Sequence, residues 1–279
     1  MIHGNDWIRV LDQIRDNLQK AVAPNLGGAP QPPTFLGVGA GGDPIEHVDL
    51  AAEKAIVATL EKRGLSFTLI SEESGIREYG ANPDVCYVTA DPVDGSANVM
   101  RNIPFAATSI AISASPRLST VHAALVEDLV HHVTYVAETG RGAFRNGHRV
   151  GPSGVASPRE AMIGLDLNTD EASDVLPLLT GLIGKTRHLR HFGANALEIC
   201  YVADGSLDAF VDVRGKLRAT DVAAAWLIVK EAGARITDPA GNELDFELSP
   251  TQKVDFVAAG NARLHKTILD LAKARKSAT

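Results

Sequence analysis

An acidic string after an apolar stretch offers the hard oxygen ligands that Mg²⁺ prefers. It runs Asp91-Pro92-Val93-Asp94-Gly95-Ser96 and follows VCYVTA directly. Taken alone it is typical of a type I turn, because Asp-Pro initiates turns and Asp-Gly follows easily in them. In the other interpretation, the proline brings both carboxylates together around the Val93 carbonyl, which suits a divalent cation. Gly95 and Ser96 then present N–H groups, at a predicted helix start, to a phosphate beside the same cation.

Two further acidic positions also have two interpretations each. The string Ser71-Glu72-Glu73-Ser74 follows the apolar segment FTLIS and, taken alone, is typical of a solvated turn. Asp221 precedes the run VAAAWLIVKEAG, where a helix N-cap is the simplest explanation. An N-cap aspartate can still be a metal ligand, so the three acidic pieces together favour a metal site more than any one does.

The elements that position these acids follow from apolar periodicity and breaker residues. Segments 67–71 and 85–90 read as short buried strands that end just before acidic residues. A first helix is capped by Asp6, with apolar residues at the spacing of one buried stripe: Trp7, Leu11, Ile14, Leu18 and Val22. Glycine and proline predict a long loop over 24–44, and a second helix is predicted over 45–63.

The rest of the chain is predicted to hold an antiparallel sheet followed by alternating helices and strands. Apolar runs over 104–150, with a turn at Asn146-Gly147, indicate the sheet. Helices are expected at 171–183, 194–203, 221–232 (with Gly233 as C-cap) and 262–274, and strands at 187–190, 207–213 and 254–259. We expect one integrated unit, divided near 150 into an N-terminal metal-binding α+β part (1–150) and a C-terminal α/β part (151–279).

Composition limits the class of protein. The 279 residues are 45% hydrophobic and 22% charged, which is typical of a globular chain. No apolar run is long enough to span a membrane, and the N-terminal segment is too charged for a signal peptide, so we expect a soluble cytoplasmic protein. Cys86 and Cys200 lie in apolar stretches and are expected to be reduced and buried. A net charge of −7 argues against a nucleic-acid surface and would repel phosphorylated substrates unless cations are bound.

Six motifs occur in order along most of the chain: IxEES, DPVDGSxN, IPFAxTSIAI, GxGAFxNG, GAxALExCYVADGxLDAF and TDVAAAWLIVKEAGA. As a set they resemble the inositol monophosphatase and fructose-1,6-bisphosphatase superfamily, most of all the archaeal-type enzymes that hydrolyse both substrates. The resemblance implies an α/β (α+β) fold with αβαβα layers and a homodimer. It also implies an Mg²⁺-dependent phosphomonoesterase of carbohydrate metabolism and gluconeogenesis, with two or three Mg²⁺ per subunit and Mn²⁺ as a substitute.

The resemblance also implies roles for particular residues. Glu72, Asp91 and the Val93 carbonyl would form a first metal site, and Asp91, Asp94 and Asp221 a second. Glu72 would help to hold a third ion and, with Ser96, would orient the metal-activated water that attacks phosphorus. Asp49 would support that water and the third ion, beneath a glycine-rich loop that contains Asp43. The alternative for Asp49 is a surface charge on the second helix.

Three positions depart from the common pattern of this family. Ser96 replaces threonine and keeps the hydroxyl, so we expect the chemistry to survive. Thr220 replaces a tryptophan beside Asp221, which leaves the pocket wall and substrate preference open. Ser71 replaces the glycine before the glutamate pair.

Substrate specificity is expected to come from basic and polar residues in the second half of the chain. Asp212 is a candidate for sugar hydroxyls, and Arg214, Lys216, Arg218 and Arg190 are candidates for a second phosphate. Asn195 resembles the position that contacts ring hydroxyls, while Asp94, Gly95 and Ser96 would bind the reacting phosphate. The alternative is that the basic residues are solvated loop charges. His131 and His132, on a predicted strand, are expected to be structural or exposed.

The sequence is also compatible with two rival functions. The same metal site serves phosphatases of 3'-phosphoadenosine 5'-phosphate and of NADP, which need room for an adenine. Some superfamily members instead bind RNA or transcription complexes as regulatory proteins. The complete set of four acids and the lack of a basic patch argue against the second rival.

Overall fold

The computed structural model describes residues 7–26, 36–169 and 172–273. The helices of the described residues are α1 (Trp7–Val22), α2 (His47–Lys62), α3 (Ser96–Met100), α4 (Ala172–Ile183), α5 (Asn195–Asp204), α6 (Ala219–Ala232) and α7 (Ala262–Lys273). The strands are β1 (Phe67–Ser71), β2 (Gly75–Tyr79), β3 (Tyr87–Asp94), β4 (Ala107–Ser113), β5 (Val121–Asp128), β6 (Val133–Glu138), β7 (Gly142–Arg145), β8 (His148–Arg149), β9 (Met162–Leu165), β10 (His188–Arg190), β11 (Ala209–Asp212), β12 (Arg235–Thr237) and β13 (Phe256–Ala259).

The strands form two sheets. The larger has the order β2-β1-β3-β4-β5-β6-β7-β8, and β1 with β3 is its parallel pair among antiparallel neighbours. The smaller has the order β10-β9-β11-β13-β12, in which β9 runs parallel to both of its neighbours. The carboxyl ends of β1 and β3 therefore meet at one edge of the larger sheet.

Helices and sheets alternate in five layers. Helices α1 and α2 pack their apolar residues on one face of the larger sheet. Helices α5 and α6 lie between the two sheets, and α4 with α7 covers the far face of the smaller one. Each sheet thus buries both faces, which explains the continuous apolar runs in its strands. The predicted αβαβα architecture is confirmed.

The apolar stripe of α1 behaves as predicted. Trp7, Leu11, Ile14, Leu18 and Val22 are all buried against the larger sheet and α2. The proposed cap of this helix, Asp6, and the middle of the 24–44 segment lie outside the described residues.

Several predicted boundaries differ from the structure. Strand β3 continues through Asp94, because a bulge between Asp91 and Asp94 absorbs the expected turn while the strand keeps pairing with β4. Helix α6 begins at Ala219 and not at Asp221. His131 and His132 lie in the turn between β5 and β6 and not on a strand, since the His131 N–H donates to the Asp128 carboxylate and the His132 N–H donates to the Asp128 backbone carbonyl.

The division near residue 150 coincides with the change from one sheet to the other. The central core nevertheless joins residues of both halves, because α5 and α6 fill the space between the sheets. The division of the chain into parts 1–150 and 151–279 therefore stays a prediction. None of the described helices is long and apolar enough to cross a membrane.

Candidate metal centre and phosphate site

Three carboxylates converge at the edge where β1 and β3 end. Glu72 follows β1, Asp91 lies in β3, and Asp221 lies in the first turn of α6. One oxygen of each lies within 4.8 Å of an oxygen of the other two, and all three residues are buried. Glu72 and Asp91 are adjacent because β1 pairs in parallel with β3, and the Ser71↔Ala90 pair comes immediately before them. The structure thus unites acids that are far apart in the sequence.

The fourth predicted ligand, Asp94, is held by a helix. Its Oδ2 accepts the N–H of Ala196 at 2.6 Å, in the first turn of α5. A carboxylate at a helix N-terminus is stabilised by the unpaired N–H groups and by the helix dipole. Asp94 lies outside the group of three oxygens, although the charge of Asp221 acts on it. It links the acidic group to the turn before α5.

The turn that contains Gly95 has room for glycine alone. Gly95 has φ +88°, and a Cβ there would lie 3.0 Å from the Gly193 carbonyl oxygen. Asn98 ties the same two segments together, because its Nδ2 donates to the carbonyls of Phe105 at 2.9 Å and Phe192 at 2.8 Å. Ser96, partly buried, opens the short helix α3 beside this contact. The phosphate-binding motif and the turn before α5 therefore form one packed unit.

Burial makes this acidic group costly to ionise. Burial first, and then the neighbouring carboxylates, raise the pKa values of Asp91 and Asp94 well above the usual range. Burial and Asp221 raise the pKa of Glu72 to about 9, although Arg218 opposes the change. Such a group takes up positive charge, either as protons or as a metal cation. The donor set consists of carboxylate oxygens, which fits a hard divalent cation such as Mg²⁺.

Asp221 is not the N-cap of its helix. Arg218 occupies that position, and the Arg218 backbone N–H donates to Asp221 Oδ2 at 3.0 Å, with Asp221 as the third helical residue. The Thr220 hydroxyl donates to Asp221 Oδ1 at 3.3 Å, and Thr220 has no exposed surface. Threonine at position 220 is therefore an interior residue that supports Asp221.

A glycine-rich loop, residues 39–43, covers Glu72. The N–H groups of Ala40 and Gly41 donate to the carbonyls of Glu73 and Glu72, at 3.0 and 2.8 Å. A Cβ at Gly41 would lie 2.7 Å from Arg218 Nε and from Glu72 Cγ, so a side chain has no space there. Arg218 joins the two sides, since it contacts Glu72, the Gly41 carbonyl and the Asp43 carboxylate.

Asp49 belongs to a second buried acidic group behind this loop. It is 1% exposed, so the alternative of a surface helix charge is wrong. Its Oδ2 accepts the Glu46 N–H at 2.8 Å, whereas Asp49 Oδ1 and Glu73 Oε2 are buried without a hydrogen-bond partner among the described residues. Burial raises the pKa of Asp49 to about 7 and that of Glu73 to about 8. Sequence reasoning assigned no role to Glu73, although its position next to Glu72 was the available signal.

A cleft of about 500 Å³ opens beside Asp221. Four of the residues predicted to bind substrate line it, namely Asn195, Arg214, Lys216 and Arg218. Asn195 Oδ1 is buried and has no partner among the described residues. Lys253 also lines the cleft, and sequence reasoning missed it because the surrounding letters, TQKVD, carry no motif.

Two other candidates for substrate binding do not face this cleft. Asp212 has no exposed surface, and Arg214 Nε donates to both of its carboxylate oxygens, at 3.0 and 3.1 Å. It therefore holds Arg214 in place. Arg190 is not among the cleft-lining residues, and its Nη1 donates to the neighbouring Leu189 carbonyl at 2.8 Å. The reason is that β10, which carries Arg190, is the outer strand of the smaller sheet.

Comparison with known proteins assigns the chain to a family. The model of the inositol monophosphatase family matches residues 12–277. The chain belongs to this family. It is 36% identical to the fructose-1,6-bisphosphatase/inositol-1-monophosphatase of Methanothermobacter thermautotrophicus, over 94% of this chain and 95% of that protein. The predicted resemblance and the enzyme class, a phosphoric monoester hydrolase, are confirmed.

Two further similarities bear on fold and function. A crystal structure of an inositol monophosphatase-fructose 1,6 bisphosphatase matches with a TM-score of 0.83 at 31% identity, covering 95% of this inositol monophosphatase family chain and 99% of that one. The bifunctional NADP phosphatase/NAD kinase of Methanococcus maripaludis is 32% identical over 95% of this chain. The chain spans 49% of that relative's length.

Proposed function

We propose that this chain is an Mg²⁺-dependent phosphomonoesterase that hydrolyses fructose 1,6-bisphosphate, inositol 1-phosphate or both. The observation that carries the proposal is the group of three buried carboxylates with oxygens within 4.8 Å of one another. It lies beside a cleft lined by four basic side chains, Arg214, Lys216, Arg218 and Lys253. Hydrolysis of a phosphate ester requires acidic residues that bind metal next to basic residues that bind phosphate.

The residues that would hold the metals are those at the ends of β1 and β3 and at the start of α6. Glu72, Asp91 and the Val93 carbonyl would bind one ion, and Asp91, Asp94 and Asp221 a second. Asp49 and Glu73, each with a buried oxygen that has no partner among the described residues, fit a supporting role for a third. When bound, Mg²⁺ ions lower the pKa of water, neutralise phosphate charge and stabilise a departing oxygen.

The remaining steps belong to the chain's own side chains and backbone. The N–H groups of Gly95 and Ser96, at the start of α3, would hold the phosphoryl oxygens. Glu72 and the Ser96 hydroxyl would orient the attacking water. The glycine-rich loop over Glu72 would limit access of bulk water.

The nucleotide phosphatase reading is the second candidate, since one relative is named as an NADP phosphatase. It requires space for an adenine beyond the sugar. The regulatory reading requires a site that has lost its function, and the buried set of Glu72, Asp91, Asp94 and Asp221 argues against it. A homodimer acting in the cytoplasm remains part of the proposal, and light scattering of the purified protein would test the dimer.

Phosphate release tests the proposal directly. We would assay fructose 1,6-bisphosphate, inositol 1-phosphate, 3'-phosphoadenosine 5'-phosphate and NADP, each with Mg²⁺, with Mn²⁺ and with EDTA. Release from either of the first two, abolished by EDTA and by Asp91→Asn, is the expected result. A preference for a nucleotide would keep the metal chemistry and replace the substrate. A wild-type protein inactive on all four would contradict the proposal.

A further inference from the structure

Lys253 lies directly opposite Arg218 in a short antiparallel bridge at the rim of the cleft. Two backbone hydrogen bonds flank the pair, from Val254 N–H to the Leu217 carbonyl at 2.8 Å and from Ala219 N–H to the Gln252 carbonyl at 2.9 Å. Opposed residues of an antiparallel pair project their side chains to the same side, with Cβ atoms about 5 Å apart. Lys253 and Arg218 therefore enter the same cleft as neighbours.

The other basic side chains of the cleft are already engaged by carboxylates or other groups. Arg214 pairs with Asp166 at 2.6 Å and with Asp212 at 2.5 Å. Arg218 pairs with Glu72 at 2.8 Å and contacts Asp43. Lys216 also has an interaction partner. The ammonium group of Lys253 has no hydrogen bond or ion pair with any of the described residues, so it is the cation of this cleft that is available to a ligand.

The Arg218–Lys253 pair places two cations opposite each other at the rim of the cleft. Like charges directly opposite one another on an antiparallel pair are destabilising. Burial first, and then the charge of Arg218, lower the pKa of Lys253, whereas the charges of Asp221, Asp43 and Glu72 oppose the change. The repulsion between two cations at the rim of a cleft is offset when an anionic group binds between or beside them.

The position of Lys253 indicates which part of a substrate it would meet. Glu72 contacts one edge of the Arg218 guanidinium, while Lys253 lies across the bridge from the Arg218 backbone. Among the described residues, Lys253 forms no ion pair with Glu72, Asp91 or Asp221, whereas Arg218 pairs with Glu72 at 2.8 Å. A phosphate held at the acids would be the reacting one, and an anion at Lys253 would be a different group of the same molecule.

We propose that Lys253 binds an anionic group of the substrate remote from the reacting phosphate, and so selects phosphate esters that carry a second phosphate. This inference rests on the proposed function. The reacting phosphate would lie at the acids and Gly95, and the second would lie at Lys253 beside Arg218.

Two sugar phosphates that differ by one phosphate test the inference. Fructose 1,6-bisphosphate and fructose 1-phosphate would be compared in wild type, Lys253→Met, Lys253→Arg and the control Lys266→Met, an exposed lysine on α7. We expect Lys253→Met to raise KM for the bisphosphate about 10-fold relative to KM for the monophosphate, the cost of one charged hydrogen bond. Lys253→Arg should restore most of the loss, and Lys266→Met should behave as wild type.

A binding measurement separates failure of this inference from failure of the proposed function. Fructose 6-phosphate keeps the remote phosphate and lacks the reacting one, so calorimetry can follow its binding without turnover. Lys253→Met should weaken that binding about 10-fold. Equal effects of Lys253→Met on both sugar phosphates, or unchanged fructose 6-phosphate binding, would overturn the role of Lys253. Absence of phosphate release from every ester in wild type would instead refute the proposed phosphatase substrates.

Discussion

Arg218 Nη1 lies 2.8 Å from Glu72 Oε1, so the N-cap residue of α6 neutralises a carboxylate at the end of β1. The same guanidinium donates to the Gly41 carbonyl at 3.0 Å and contacts Asp43. One side chain therefore connects the acidic group, the glycine-rich loop and the helix that carries Asp221.

Replacement of Arg218 by alanine should loosen the glycine-rich loop. The loop would lose the two contacts from the guanidinium, so amide hydrogen exchange over 39–43 should speed up about 10-fold. Arg117→Ala is the matched control, because Arg117 pairs with Asp245 at 2.8 Å on the exposed surface. Unchanged exchange in the loop of Arg218→Ala would show that the guanidinium does not hold it.

Asp91→Asn should separate metal binding from stability. Burial and three neighbouring carboxylates raise the pKa of Asp91, so its ionised form destabilises the metal-free fold. A neutral asparagine removes that cost, and Tm in EDTA should rise by about 3 °C for each kcal/mol gained. Mg²⁺ should raise the Tm of wild type and leave that of Asp91→Asn unchanged, because the ion stabilises a folded protein only if it binds to that protein.

Differential scanning fluorimetry with and without Mg²⁺ makes this comparison, and phosphate release should fall at least about 100-fold in Asp91→Asn. Asp245→Asn, at an exposed ion pair, provides the control for loss of one negative charge. A variant that still gains stability from Mg²⁺ and still turns over would remove Asp91 from the metal site.

Glu198 should make stability depend on pH. It accepts the N–H groups of Phe192 and Gly193 at 3.1 and 3.0 Å, and burial raises its pKa from 4.5 to about 7. The folded protein therefore holds a proton that the unfolded chain releases above pH 4.5. Stability from this group is complete below that pH and is lost, by up to about 3 kcal/mol, as pH rises through 7.

Urea unfolding of wild type and Glu198→Gln between pH 4 and 8, both in EDTA, checks this prediction. Glutamine keeps a carbonyl oxygen for both N–H groups and cannot ionise. The free energy of unfolding of Glu198→Gln should therefore exceed that of wild type by an amount that grows as the pH rises. Glu160→Gln, on the exposed surface, should follow wild type. Parallel curves for wild type and Glu198→Gln would contradict the shifted pKa of Glu198.

Gly95→Ala should destabilise the protein and impair catalysis. Alanine would be strained at φ +88° and would place Cβ 3.0 Å from the Gly193 carbonyl oxygen. Gly233→Ala is a closely matched control, since Gly233 has φ +91° and open space around its missing Cβ. We expect losses of about 3 kcal/mol at Gly95 and about 1 kcal/mol at Gly233, measured by urea unfolding. Equal losses would mean that the contact with Gly193 carries no cost.

Most of the fold was predictable because local patterns and long-range packing agree. The α1 stripe from Trp7 to Val22 has the helical period and is buried along its whole length. Gly233 ends α6 with φ +91°, as a predicted C-cap should. Predictions at Asp94 and Asp221 missed the element boundaries, because the β3 bulge and the capping of α6 depend on contacts with β4 and with Arg218.

By itself, the sequence determined the family, the layered fold and the acidic residues that end strands or begin helices, because these follow from ordered motifs and from periodicity. The tertiary structure decided which charged side chains remain available to a ligand. Asp212 is buried and holds Arg214, Asp49 lies in the interior, and Lys253 lines the cleft beside Arg218, with which it forms an isolated bridge. Charges pair through space over a few ångströms, and the partners of a given side chain lie at sequence separations that no local pattern encodes.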